Sequence, residues 1–183
     1  MRRLFLFNVL VLSASLVATA LGAGDEGEKD APVTAKAAFD RLKTLVGDWK
    51  NSSKACNEGG GEGSDRVQYK LTGAGSALVE VDGPGTPMEM ISVYHLDGDD
   101  LLMTHYCAVK NQPRLKLDRV ASKPDRLVFV FDGGTNLDPA KDMYVSGLVL
   151  NFESETSVKA DWKSRQGPDK VEAMTFELTR ESR

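Results

Sequence analysis

The sequence predicts an all-β protein, an antiparallel up-and-down barrel of about ten strands with one short N-terminal helix. Three observations lead there. Apolar residues keep a helical period in only one stretch, and they keep a period of two through the rest of the chain. Nearly every break between the period-two runs carries turn residues.

The helical stretch starts at Thr34, a side chain suited to N-capping, and places Ala35, Ala38, Phe39, Leu42 and Leu45 on one face before Gly47 stops it. One helix of about three turns is expected, too short for a coiled coil and suited to sealing one end of a sheet structure. Alternating runs follow at residues 49–53, 66–71, 76–81, 88–96, 100–109, 114–120, 126–131, 144–153, 157–163 and 171–179. Between them stand Thr72-Gly73-Ala74-Gly75, Asp82-Gly83-Pro84-Gly85, Asp97-Gly98, Lys123-Pro124-Asp125, Asp132-Gly133-Gly134 and Gln166-Gly167-Pro168-Asp169. Such short connections make sequential strands antiparallel neighbours. A meander of this length either leaves two long edges or closes on itself; closure is expected, with an open sandwich as the alternative.

With 183 residues, the chain has room for one ordinary domain. Residues 1–23 have the layout of a signal peptide: Arg2-Arg3, then an uncharged stretch ending in small residues, with Ala18-Thr19-Ala20 fitting the cleavage rule. Residues 24–33 are charged and lack apolar periodicity, which predicts a disordered spacer; the barrel domain is expected over 34–183. An exported protein, periplasmic or secreted, follows from this layout. The uncharged run is also long enough to serve as an uncleaved membrane anchor.

The formal charge is −4 with the two leader arginines included, and no basic cluster interrupts the acidic balance. Nucleic acid is therefore not an expected partner, and no membrane association is expected after leader removal. The run Gly59-Gly60-Gly61-Glu62-Gly63 lacks the Lys-Ser or Lys-Thr of a phosphate loop and is flanked by Glu58 and Asp65, so a surface loop is expected. No catalytic motif is present: Gly73-Ala74-Gly75-Ser76-Ala77 has its glycines misplaced for a nucleophile elbow, which leaves a Ser76 and His105 pair assembled in space as the remaining option. An enzyme is not expected.

Both histidines fall in the hairpin around Asp97-Gly98. Its two faces differ in kind. One carries Met88, Met90, Ser92, Tyr94, Leu101, Met103, His105 and Cys107; the other carries Glu89, Ile91, Val93, His95, Asp100, Leu102, Thr104 and Tyr106. The first is apolar with a few hydroxyl, imidazole and thiol groups, the composition of a small-molecule pocket, so those eight residues are the candidate ligand-binding set. The alternative is a solid methionine-rich core. Met, His and Cys are also soft copper ligands, but two strand residues do not make a metal site, and neither metal nor cofactor is expected. Cys56 and Cys107 are the two cysteines, and a disulfide between them would stabilise by roughly 4 kcal/mol in the chain-entropy model.

Gly47-Asp48-Trp49 at the mouth of the first strand, a short helix before it and Leu178-Thr179-Arg180 in the last strand resemble the calycin layout of lipocalins and their small bacterial relatives. In that layout the Trp plugs one barrel end and a basic residue of the last strand lies over its indole; the resemblance gives those roles to Trp49 and Arg180. Residues 69–78, Pro87-Met88-Glu89-Met90, residues 94–99, residues 104–108 and Asn111-Gln112-Pro113-Arg114 further resemble a bacterial family of lipocalin-like domains of uncharacterised function. Similar barrels of the nitrobindin group bind haem through a Gly-x-Trp-x-Gly-x-Gly element and a C-terminal histidine. Here Asn51 and Ser53 replace the later glycines, and no histidine follows His105. The expectation is an exported barrel that holds a small, largely apolar molecule. The alternatives are a structural or protein-interaction domain of the cell envelope with a filled core, and a haem- or copper-binding barrel. The oligomeric state is left open by the sequence.

Overall fold

A computed structural model describes residues 32–53 and 62–182. The leader, the spacer through residue 31, Cys56 and the glycines at 59–61 lie outside the described residues.

The helix α1 spans Ala35–Lys43 and is capped as its sequence requires: the Thr34 side chain accepts a hydrogen bond from the Ala37 backbone N–H at 3.1 Å. Ala35, Ala38, Phe39 and Leu42 are its buried face. Val33, assigned from the sequence to the spacer, is instead part of the folded domain. Its side chain is buried, and its N–H donates to the Arg119 carbonyl at 3.1 Å.

Ten strands follow, β1 (Gly47–Asn51), β2 (Arg66–Thr72), β3 (Ala77–Asp82), β4 (Met90–Asp97), β5 (Asp100–Tyr106), β6 (Gln112–Leu117), β7 (Arg126–Thr135), β8 (Met143–Phe152), β9 (Ser157–Gln166) and β10 (Lys170–Arg180). Each pairs antiparallel with its sequence neighbour, and β1 pairs with β10 to close the barrel. The closing register sets Trp49 opposite Arg180 on one side and opposite Val67 on the other. Closure is made by the short β1, which pairs with Leu178, Thr179 and Arg180 of β10.

The two ends of the barrel differ. The α1 end holds the start of β1, the β2–β3 turn, the β4–β5 hairpin at Gly98-Asp99, the β6–β7 connection and the β8–β9 turn, and it is filled. Phe39, Leu42, Leu45, Trp49, Leu78, Tyr94, Leu101, Met103, Leu115, Phe129, Leu148 and Leu178 are fully buried there or toward the barrel middle. Each such side chain contributes roughly 1.5–3 kcal/mol by leaving water. Among the described residues, the opposite end is bounded by the connections after β3, β5, β7 and β9. Inward-facing side chains become exposed there: Met174 of β10 is 45% exposed although its register partner Trp162 is buried.

Candidate functional site

At the α1 end, the Trp49 indole donates from Nε1 to the Leu45 carbonyl at 2.7 Å and is buried. The Arg180 guanidinium lies over it, with Cζ 4.4 Å from the ring centroid, close enough for a cation–π contact. Arg180 also donates to the Val46 carbonyl at 2.8 Å and to those of Thr44 and Glu155. One side chain from the last strand therefore holds the C-terminal end of α1, the indole and the β8–β9 turn together. A recess of about 350 Å³ lies beside it, lined by Arg41, Phe152, Ser154 and Glu155 among others. It lies at the filled end of the barrel, and its lining is more polar than that of the opposite end.

The other end contains a cavity of about 330 Å³, walled mainly by apolar side chains: Met88, Met90, Met143, Trp162, Met174 and Phe176. Its size lies at the lower end of the range for small-molecule sites. His105, Cys107 and Asp82 also line it. β8 is bulged between Val145 and Gly147 as it passes this wall. The exposed methionines Met88, Met143 and Met174, with Val109, form an apolar rim.

Of the eight hairpin residues singled out from the sequence, Met88, Met90, His105 and Cys107 line the cavity. The alternation that placed all eight on one inward face is correct in its sense, since Ser92, Tyr94, Leu101, Met103 and His105 are all buried. Four of them nevertheless stand apart from the cavity. Tyr94, Leu101 and Met103 are packed in the filled part of the core, and the Ser92 hydroxyl shares a 2.9 Å hydrogen bond with His105 Nδ1. Met88 departs in another way. It precedes β4, which begins at Met90, and stands 55% exposed at the rim. Cys107 follows β5 and is half-buried, with no disulfide partner among the described residues. Ser76 and His105 do not form a pair: the Ser76 hydroxyl donates to the Gly73 carbonyl at the α1 end, whereas His105 belongs to the cavity.

The interior is more polar than the hairpin alone suggests, because β3 turns its acids inward. Glu80 and Asp82 are 1% and 5% exposed, whereas Val79, between Leu78 and Glu80, faces outward. Tyr69 and Tyr94 donate to the two carboxylate oxygens of Glu80 at 2.8 and 2.5 Å. Burial raises the Glu80 carboxyl above its usual range, and the two phenol bonds act against that shift. Burial first, and the neighbouring Glu80 charge second, raise Asp82 well above the usual carboxylate range. Among the described residues its Oδ1 has no hydrogen-bond partner, and neither has the indole N–H of Trp162.

His105 completes this layer. Its ring is 5.3 Å from that of Trp162, and burial lowers its pKa from 6.5 to about 4, so the imidazole is neutral at ordinary pH. The signal for Glu80 and Asp82 was available in the alternation Leu78, Glu80, Asp82. It reads as an outward face when acids are assumed to prefer water.

Among the described residues no three His, Cys, Asp or Glu side chains come together as metal ligands would, and no helix is long and apolar enough to cross a membrane. The fold and cavity define a closed β-barrel, filled at one end and hollow at the other. Neither a family model nor a curated protein matches the chain.

Proposed function

We propose that this chain is an exported, lipocalin-like binding protein that holds a small, largely apolar molecule in the open end of its barrel. The observation that carries the reading is the hollow end itself: inward residues of β10 left exposed around an apolar cavity of about 330 Å³. The apolar rim gives such a molecule an entry path, and the Trp49–Arg180 seal at the far end supports kinship with the calycin layout. The leader-like residues 1–23 support export.

Uptake of N-phenylnaphthylamine, an apolar dye that brightens out of water, tests binding in the full chain. Saturable uptake by one site is expected, abolished when Met90→Trp fills the cavity. Absence of uptake, or uptake indifferent to Met90→Trp in a folded variant, overturns the reading. A second reading, a protein-interaction domain, is favoured by the exposed rim residues Met88, Val109, Met143 and Met174. Native mass spectrometry separates the two, since a retained small mass supports the first and a retained protein chain the second.

A further inference from the structure

Sulfur is concentrated at the hollow end of the barrel. The chain has six methionines, and four of them, Met88, Met90, Met143 and Met174, line the cavity. They reach it from β4 and the segment before it, from β8 and from β10. Met88, Met143 and Met174 are 55%, 39% and 45% exposed, whereas Met103, in the filled part of the core, is fully buried. The most accessible thioethers among the described residues are therefore those that an apolar molecule passes on its way into the cavity.

A thioether is apolar and flexible, which suits the wall of such an entrance. It is also open to oxidation, and the sulfoxide that results is polar. Position decides what that conversion does. On an isolated stretch of surface it changes little, because the new oxygen is met by water. At the rim, an apolar molecule that enters the cavity covers the same oxygen and strips its water without offering a hydrogen bond in return.

We propose that Met88, Met143 and Met174 are oxidation sites that control the cavity: a hydroperoxide converts them to sulfoxides, and the oxidised rim releases the apolar ligand. This inference rests on the binding reading above and adds its regulation. In the step, the lone pair of the thioether sulfur attacks one oxygen of hydrogen peroxide. The O–O bond breaks as the S–O bond forms, and the departing hydroxide takes the proton of the transferred oxygen and leaves as water. Sulfur gives up two electrons and the peroxide gains them. Each sulfur reacts alone, so the three need not meet, and methionine sulfoxide reductases reverse the change.

The test exposes the folded full chain to hydrogen peroxide, maps its peptides by mass spectrometry and titrates its uptake of N-phenylnaphthylamine. Met88, Met143 and Met174 are expected to become sulfoxides well before Met103, and the oxidised chain to bind the dye about tenfold more weakly. The two methionine sulfoxide reductases should restore the affinity. The thiol that drives them, given alone, should not. A Met88→Leu, Met143→Leu, Met174→Leu triple variant keeps an apolar rim without its sulfurs, so its affinity, whatever the starting value, should survive the same exposure. Oxidation of the three no faster than that of Met103 overturns the inference, as does dye uptake that is unchanged once they are oxidised; both results leave the binding reading intact. A loss of uptake that the thiol alone repairs, or that the triple variant shares, also overturns it, since the sensitive group is then Cys107 or Met90. A parent chain that takes up no dye before peroxide is added overturns the binding reading itself and the inference with it.

Discussion

His105 and Asp82 share one cavity and respond to pH in opposite senses. Burial lowers the His105 pKa from 6.5 to about 4, so the unfolded chain takes up a proton that the folded chain refuses between those values. The contribution of His105 is complete above pH 6.5 and is lost as pH falls toward 4, by about 3 kcal/mol in all. Urea denaturation across this interval should show a loss of stability on acidification that is absent in His105→Gln; parallel curves for the two proteins would contradict it. For Asp82, whose folded pKa is raised well above 3.8, the folded chain keeps a proton that the unfolded chain releases. Its contribution is therefore complete below 3.8 and is lost as pH rises through the raised value. Asp82→Asn should become steadily more stable than the parent as pH rises from 4 to 8. The expected gain at the upper end is about 1–3 kcal/mol, the penalty of an ionised carboxyl without a partner. A difference that does not grow with pH would show that Asp82 ionises without cost.

At the scale of elements, the joint between α1 and β1 is tightly constrained. Gly47 has φ +135°, a conformation that side chains avoid, and a Cβ there would stand 2.9 Å from Arg180 Nη1. Gly47→Ala should therefore destabilise by about 1–3 kcal/mol, from backbone strain together with displacement of the guanidinium. A thermal midpoint unchanged from the parent would show that neither matters. This joint was legible in the sequence because its signals are local: a capping threonine, a helical stripe and a glycine before a tryptophan. The period of two likewise located all ten strands, since half-buried strands impose that alternation on their own residues. The alternation of Leu78, Glu80 and Asp82 on β3 was legible, but the side of the sheet it faces was not. It depends on Tyr69 and Tyr94, which arrive from β2 and β4 to solvate Glu80 and are separated from it by 11 and 14 residues. Strand ends were blurred for a related reason. Met88 continues the β4 alternation in sequence, yet the turn from Gly83 through Thr86 sets where pairing starts.

At the scale of the whole molecule, closure joins residues from the two ends of the sequence, and the Trp49–Arg180 contact measures it. The two are register partners of β1 and β10, and the guanidinium sits 4.4 Å from the indole centroid while bonding the carbonyls of Thr44 and Val46. Removal of the indole empties a buried site at the filled end, so Trp49→Ala should cost roughly 3–5 kcal/mol, as other buried aromatic truncations do. Arg180→Ala should cost less, about 1–2 kcal/mol, because the side chain is only partly buried and water can replace part of its bonding. The informative quantity is the coupling between them. Once the indole is gone, the guanidinium loses the ring face it covers, so the double variant should be less destabilised than the sum of the singles, by about 0.5–2 kcal/mol. Additive losses in denaturant titrations of the four proteins would mean that Arg180 acts through the helix carbonyls alone. The cavity supplies the control. It lies at the opposite end of the barrel, so Arg180→Ala should leave dye uptake within about twofold of the parent, as expected for distant, independent sites. A larger loss of uptake would show that the seal and the hollow end do not behave independently.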